Sequence, residues 1–263
     1  MTQLQNVALV LKKWPLKGKN LLYTFLSNKG TQFQALYYYK KEMIAPELGE
    51  ILELSFTERS YGENKLASLK ELNLLWRPLK CRKSYGRYEL LCSLLELVSL
   101  QQSSSHQRDF FVLLVSALAY LEERMDYPEE EDSFRALFLA KFLGTSGLSP
   151  QIDNCYLCKK KIDERESVLF SFEQGSLSCL NHHQHFSLQE KEIHQLIYLL
   201  FSSWGKLSFD EGMERLTQNN NLNLLTKYLW RYLSYQLNLS EGQLSLWQRS
   251  SEPNRESLPR STV

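Results

Sequence analysis

Four residues constrain this chain more than any others. Cys155-Tyr-Leu-Cys158 is followed, after twenty intervening residues, by Cys179-Leu-Asn-His182. Each two-residue gap makes a knuckle whose turn aims two ligands at one point. Two knuckles together complete a tetrahedron of soft thiolates and imidazole, the donor set that suits zinc. The predicted metal ligands are therefore Cys155, Cys158, Cys179 and His182, with one structural zinc as cofactor. His183 and His185 compete for the fourth position. His182 is preferred because its gap mirrors that of Cys155 and Cys158. The stretches 167–172 and 175–178 between the knuckles read as a short hairpin. Buried thiols alone would explain a lone C-x-x-C, but not a third cysteine with a histidine beside it. A redox role would need a preceding βαβ pattern, and none is legible. A catalytic zinc would need H-x-E or H-E-x-x-H and an open coordination position, and the pattern offers neither. Cys81 and Cys92 read as small hydrophobes.

Ahead of this cluster the chain reads as β. Apolar or aromatic runs at 7–11, 21–26 and 31–39 are separated by Trp14-Pro-Leu-Lys-Gly18 and Ser27-Asn-Lys-Gly30, both turn chemistry. Residues 50–60 alternate, and 65–72 form a fifth candidate. Five short strands in about 70 residues predict a small barrel, of which the OB-fold is the common nucleic-acid-binding type. From Tyr85 the period changes to 3.6. Leu90, Leu91, Leu94, Leu95 and Val98 form one stripe; Phe110, Phe111, Leu114, Val115, Leu118 and Leu121 form another. A third helix is predicted over 132–143, capped by Asp132 or Ser133 and stopped by Gly144. Ser187-Leu-Gln-Glu190 fits a capping box, and 222–237 a last helix. The expected class is α+β: an N-terminal five-stranded OB-fold barrel packed on an α-helical domain carrying a zinc knuckle. The expected division is 1–80 for the barrel, 81–248 for the helical domain with a zinc-binding insertion at about 150–186, and 249–263 for a polar, disordered tail.

Charge is distributed unevenly. The formal net charge is +1, yet residues 1–87 hold fifteen Lys/Arg against seven Glu, and residues 88–154 hold four against eleven acidic residues. A basic front and an acidic middle suggest different partners. In the front, Lys12, Lys13, Lys17 and Lys19 bracket Trp14 in what reads as the first loop. Tyr37, Tyr38, Tyr39, Lys40 and Lys41 end the third strand. Lysines neutralise phosphates, and exposed aromatic faces stack on bases without demanding a sequence. Strand alternation puts Tyr37 and Tyr39 on one face. Lys12, Lys13, Trp14, Lys17, Lys19, Tyr37, Tyr39, Lys40 and Lys41 are thus the expected single-stranded nucleic-acid surface. The competing reading keeps the tyrosines in the core and the lysines in solvent. No secretory signal or membrane span is legible, so the chain is expected in the cytoplasm with its thiols reduced.

The order of features resembles the RecO family. Ala8-Leu-Val-Leu-Lys-Lys13 resembles its first strand and basic turn, and Leu21–Gly30 its second strand and turn. Arg135–Gly144, then Leu148-Ser-Pro150 and Cys155-x2-Cys158, resembles the helix, bend and knuckle leading to its zinc site, and Ser176–Cys179 its second knuckle. The chain departs from the family where Ala35 is followed by Leu36 and three tyrosines instead of a basic stretch. The resemblance implies a recombinational repair mediator that binds and anneals single-stranded DNA and helps load RecA onto coated single strands. It implies RecR and the acidic tail of single-stranded-DNA-binding protein as partners, RecA indirectly, and association with the nucleoid during repair. Arg135 and Lys141, on a helix with Phe134, Leu137, Phe138 and Phe142, are the candidate tail-binding cations. None of this needs covalent chemistry, and no P-loop, G-x-G-x-x-G, G-x-S-x-G or nuclease-like carboxylate cluster is present, so no enzyme is expected. The alternative is a zinc-ribbon RNA-binding or transcription-associated adaptor using the same basic barrel.

Overall fold

The computed structural model describes residues 4–39, 44–59, 66–101, 107–162, 168–182 and 188–239. Five strands, β1 (Leu4–Pro15), β2 (Leu21–Ser27), β3 (Gln32–Tyr37), β4 (Ile51–Arg59) and β5 (Leu66–Trp76), close into a barrel in the order β1-β2-β3-β5-β4. Neighbours are antiparallel except β3 and β5, whose short parallel pairing of Ala35 with Ala67 and Leu36 with Ser68 shuts the barrel. The expected five strands are all present, and the fifth candidate at 65–72 is β5.

The unbroken apolar run in β1 has a physical reason. Ala8 and Val10 point into the barrel core with Tyr23, Phe25, Tyr37, Leu54 and Phe56. Leu9 and Leu11 fall on the other face and join the core of the helical body, as Leu26 of β2 does. A strand buried on both faces cannot alternate apolar with polar residues. The register slips between Val10 and Lys12, so Leu11 is an extra, bulged residue against β2.

The helical body comprises α1 (Leu79–Lys83), α2 (Tyr85–Ser99), α3 (Gln107–Glu123), α4 (Glu131–Thr145), α5 (Leu188–Ser202), α6 (Phe209–Leu216) and α7 (Leu222–Gln236), with the hairpin β6 (Val168–Ser171) and β7 (Ser176–Cys179) between α4 and α5. Its centre is α4: Phe134, Ala136, Leu137, Phe138, Leu139, Phe142 and Leu143 are all fully buried. That helix starts one turn-position earlier than expected, with Glu130 before Glu131, and runs through Gly144. The stop is Gly147, whose φ of 71° provides the left-handed residue; Leu148 N–H reaches Leu143 O at 2.9 Å and Gly147 N–H reaches Gly144 O at 3.1 Å. The capping box predicted at Ser187 lies outside the described residues. One does occur at Ser208, whose hydroxyl accepts from Glu211 N–H while the Glu211 carboxylate accepts from Ser208 N–H. The stretch 249–263 is likewise outside the described residues.

Barrel and body are joined by buried polar pairs. Glu50, 1% exposed, receives Arg77 Nε at 2.6 Å and Arg82 Nη2 at 3.1 Å, and accepts from Glu47 N–H. Gln32 of β3 donates to the carbonyls of Val98 and Gln101 at the end of α2, at 3.2 Å each. Glu122 of α3 accepts from the N–H groups of Lys80 and Cys81, satisfying the start of α1. At Gly49 (φ 77°) a Cβ would meet Leu91 Cδ1 at 3.0 Å, so the β3–β4 connection can lie directly on α2 only with glycine there.

Candidate metal centre and nucleic-acid interface

The cysteine–histidine cluster is assembled from two pieces of irregular backbone. In the first, Cys155 N–H donates to Lys160 O and Lys159 N–H to Cys155 O, with Lys159 in the left-handed region at φ 62°. That tight loop turns the Cys155 and Cys158 thiols the same way. It is docked beside β7: Gln151 N–H bonds Gly175 O, Leu177 N–H bonds Gln151 O, and Tyr156 N–H bonds Leu177 O. Cys179 ends β7, and His182 ends the single 3-10 turn Leu180–His182 that follows.

One ligand atom from each of Cys155, Cys158, Cys179 and His182 can be chosen so that all four lie within 4.8 Å of one another. The Cys158 and Cys179 sulfurs are 3.8 Å apart. A tetrahedron of ~2.3 Å metal–sulfur bonds has an edge of ~3.8 Å. The residues therefore fit a metal ion, and these four would hold it. Burial raises the Cys155 pKa, but N–H groups of Cys158, Cys179 and Leu157 outweigh it and bring the thiol down to about 6. Cys179 moves the other way, up to about 12, through burial and its thiol neighbours. A bound dication would favour the thiolate form of all three cysteines. His183 and His185 lie outside the described residues.

Sequence reasoning missed the residue that seats this hairpin. His194 of α5 is 5% exposed, and its Nδ1 accepts from Phe170 N–H of β6 at 3.0 Å. Burial lowers its pKa to about 4, so the imidazole is neutral, with its proton on Nε2. Phe170 packs edge-on against Tyr232 of α7 and Phe172 against Tyr228. A lone histidine in an apolar helix carries no spacing signal, which is why it escaped notice.

The expected DNA surface is partly redrawn. Lys12, Lys13 and Trp14 belong to β1 itself rather than to the first loop; only Lys17 and Lys19 occupy the loop. Trp14 is 40% exposed, with Lys12 Nζ 5.8 Å from its ring centroid. Lys19 Nζ lies 4.6 Å over the half-exposed ring of Tyr39, whose N–H donates to Asn20. Leu16 N–H bonds Asn20 O, and Leu21 pairs with both Pro15 and Tyr37, so both cation–aromatic pairs stand at one end of the barrel. Lys13 is tied to Glu47 at 2.7 Å. Tyr37 is a correction: it is 1% exposed, edge-on to Tyr23 in the barrel core, and offers no face to a base. The strand ends at Tyr37, so alternation does not carry on to Tyr39. Lys40 and Lys41 lie outside the described residues.

Arg135 is a second correction. It is 2% exposed and bonded to Glu131 one turn earlier, with Nη2 at 2.7 Å and Nε at 2.8 Å. Phe134, Leu137, Phe138 and Phe142 are core, so no apolar groove opens beside it. Lys141 instead lines a groove of about 770 Å³ between α3, α4, α6 and the turn Trp204–Lys206. Its ammonium donates to Gly205 O and Leu207 O and lies 5.3 Å over Phe209. Burial lowers its pKa.

A closed five-stranded barrel seated on a helical body that carries a Cys3His hairpin defines a class of two-part α+β proteins with a metal-binding insertion. Residues 82–241 match the family described as "Recombination protein O C terminal". The chain belongs to the RecO family. It is similar to the "DNA repair protein RecO" of Desulfatibacillum aliphaticivorans, 29% identical over 126 residues that cover 46% of this chain and 47% of that one. The RecO of Syntrophus aciditrophicus is 28% identical over 119 residues, 44% of each. That of Chlorobium phaeobacteroides is 25% identical over 198 residues, 70% of this chain and 73% of its own. Against the first two, the matched stretch spans under half of the relatives' length. Among the described residues no helix is long and apolar enough to cross a membrane.

Proposed function

We propose that this chain is a mediator of recombinational DNA repair that binds single-stranded DNA at the basic, aromatic end of its barrel, anneals complementary strands and helps load RecA onto coated strands. One observation carries the reading: two cation–aromatic pairs, Lys12 with Trp14 and Lys19 with Tyr39, stand together at an exposed edge of a five-stranded barrel. Ammonium groups there neutralise phosphates, and the rings accept bases. The work is positioning and charge neutralisation, with no covalent step assigned to any side chain. It takes place in the cytoplasm, at the nucleoid during repair, with RecR as a partner.

The metal is zinc, held by Cys155, Cys158, Cys179 and His182 in a structural role. It cross-links the two knuckles. The acidic, apolar-tipped tail of single-stranded-DNA-binding protein is assigned to the Lys141 groove, whose walls include Val112, Leu113, Phe201 and Phe209 and whose rim carries the exposed Lys206, alongside Arg124 paired with Asp210 and the acidic Asp109 and Glu123.

Fluorescence anisotropy with single-stranded DNA across a salt series tests the reading. If about four lysines touch phosphates, the log–log slope is near −3, from roughly 0.7 per phosphate. Replacing Lys12 and Lys13 with Glu flattens that slope. Affinity that does not change with salt sinks the proposal, and stronger binding to RNA than to DNA favours the adaptor alternative.

A further inference from the structure

At the seam between barrel and body, the end of β1 faces α2 across a groove of about 320 Å³, lined among others by Lys12, Lys13, Trp14, Leu95 and Glu96. That volume lies at the lower end of the ~300–1,000 Å³ typical of small-ligand pockets. The groove owes its character to the bulge at Leu11. The alternation that buries Ala8 and Val10 in the barrel would also send residue 12 inward. The extra residue instead leaves Lys12 and Trp14 partly exposed at the seam.

Glu96 is the unexplained member. Its Oε2 is closed off from solvent and has no hydrogen-bond partner among the described residues. Burial raises its pKa and Lys12 opposes the rise. A buried acceptor without a donor is costly to maintain. The terminal torsion of a glutamate is broad, so its carboxylate can turn toward a donor arriving in the groove.

Building on the single-stranded-DNA reading, we infer that this seam groove is a nucleobase subsite, in which Trp14 stacks on the base, Lys12 holds its phosphate, and Glu96 accepts a hydrogen bond from an exocyclic amine. Cytosine presents such a donor at N4, where thymine presents an O4 acceptor. A thymine in the groove would set its O4 against the Glu96 oxygens. The front end is therefore not indifferent to sequence: one position along the strand favours cytosine over thymine.

The test is anisotropy of the full chain with oligodeoxycytidine and oligodeoxythymidine of equal length at one low salt concentration. Both are pyrimidine strands that differ at the C4 substituent, N3 and the C5 methyl, so the Glu96 variants identify the part due to the edge group. The expected result is at least about fivefold tighter binding to oligodeoxycytidine, the lower end of single-base discrimination by hydrogen bonding. Glu96→Ala weakens oligodeoxycytidine binding alone and brings the two affinities together. Glu96→Gln, nearly isosteric and able to serve either base, does the same without a cavity. Trp14→Ala weakens both oligomers alike. Equal binding by the wild type, or a preference that survives both Glu96 variants, overturns the subsite while leaving the DNA reading intact. Failure to bind either oligomer overturns the DNA reading and the subsite with it.

Discussion

The barrel holds itself together from inside, with Tyr23, Phe25, Tyr37, Leu54 and Phe56 packed in a core of its own and five strands hydrogen-bonded into closure. The β6–β7 hairpin has two strands of four residues each and no core of its own; Val168, Phe170 and Leu177 are buried in the core of the helical body. Its order comes from that packing, from Phe170 and Phe172 against α7 and from the His194 hydrogen bond, beside four side chains that could hold a metal ion. Two-stranded hairpins are marginal in water. The difference teaches that one part of this chain makes a core of its own, while the other borrows the core of the helical body and offers four side chains that could hold a metal ion.

The largest effect expected from breaking this contrast is metal removal. Structural zinc supplies about 10–16 kcal/mol in small knuckle peptides. Chelation, or Cys179→Ser, should unfold the hairpin and expose the amides of β6 and β7 to hydrogen exchange, while those of β2 and β3 stay protected. Protection lost equally in both regions would refute the contrast.

Next comes the joint. Glu50→Ala leaves Arg77 and Arg82 facing each other without their carboxylate. Breaking a fully buried pair costs about 3–5 kcal/mol. Both arginines keep partial exposure, 33% and 24% of their side chains. A loss at or below the lower end, about 2–3 kcal/mol, is therefore expected from urea denaturation.

A pH experiment then probes the hairpin's other anchor. His194 has its pKa lowered from 6.5 to about 4 by burial. The unfolded chain therefore takes up the proton first. Its contribution is complete above pH 6.5 and is lost as pH falls toward 4, amounting to about 3 kcal/mol in the limit. His194→Gln, which can still accept from Phe170 N–H, should flatten that limb of the stability–pH curve relative to wild type. An unchanged limb would show that the imidazole does not anchor the hairpin.

The smallest effect belongs to the barrel's exposed edge. Trp14→Ala should leave the urea midpoint nearly unchanged and weaken single-stranded-DNA binding by roughly 1–3 kcal/mol, with little change in salt slope. Unfolding of the barrel would instead make Trp14 a structural residue.

These differences also explain what could be read in advance. The ligand set was legible because metal geometry imposes short, fixed gaps, and Cys155, Cys158, Cys179 and His182 satisfy them. The strands were legible where turns and apolar runs alternate. Tyr37 and Tyr39 were not separable, because strand alternation says nothing about where the strand stops. Arg135 looked like a cation beside an apolar stripe, since a helical period cannot tell which face a body closes over; its pairing with Glu131 one turn away was the available clue. The seam groove joins Trp14 to Glu96 through the packing of a bulged strand on a helix, and no local pattern encodes such a meeting.

The two-sided burial of β1 limits how modular this protein can be. Leu9 and Leu11 present one face to the helices while Ala8 and Val10 present the other to the barrel. Cutting the chain after Trp76 would bare Leu9, Leu11 and Leu26 together, each worth about 1.5–3 kcal/mol of lost burial. The freed barrel would carry a sticky leucine stripe and self-associate. Substitutions that merely trim Leu9 or Leu11 would loosen both halves at once, so the strand acts as a party wall whose repair on one side disturbs the tenant on the other.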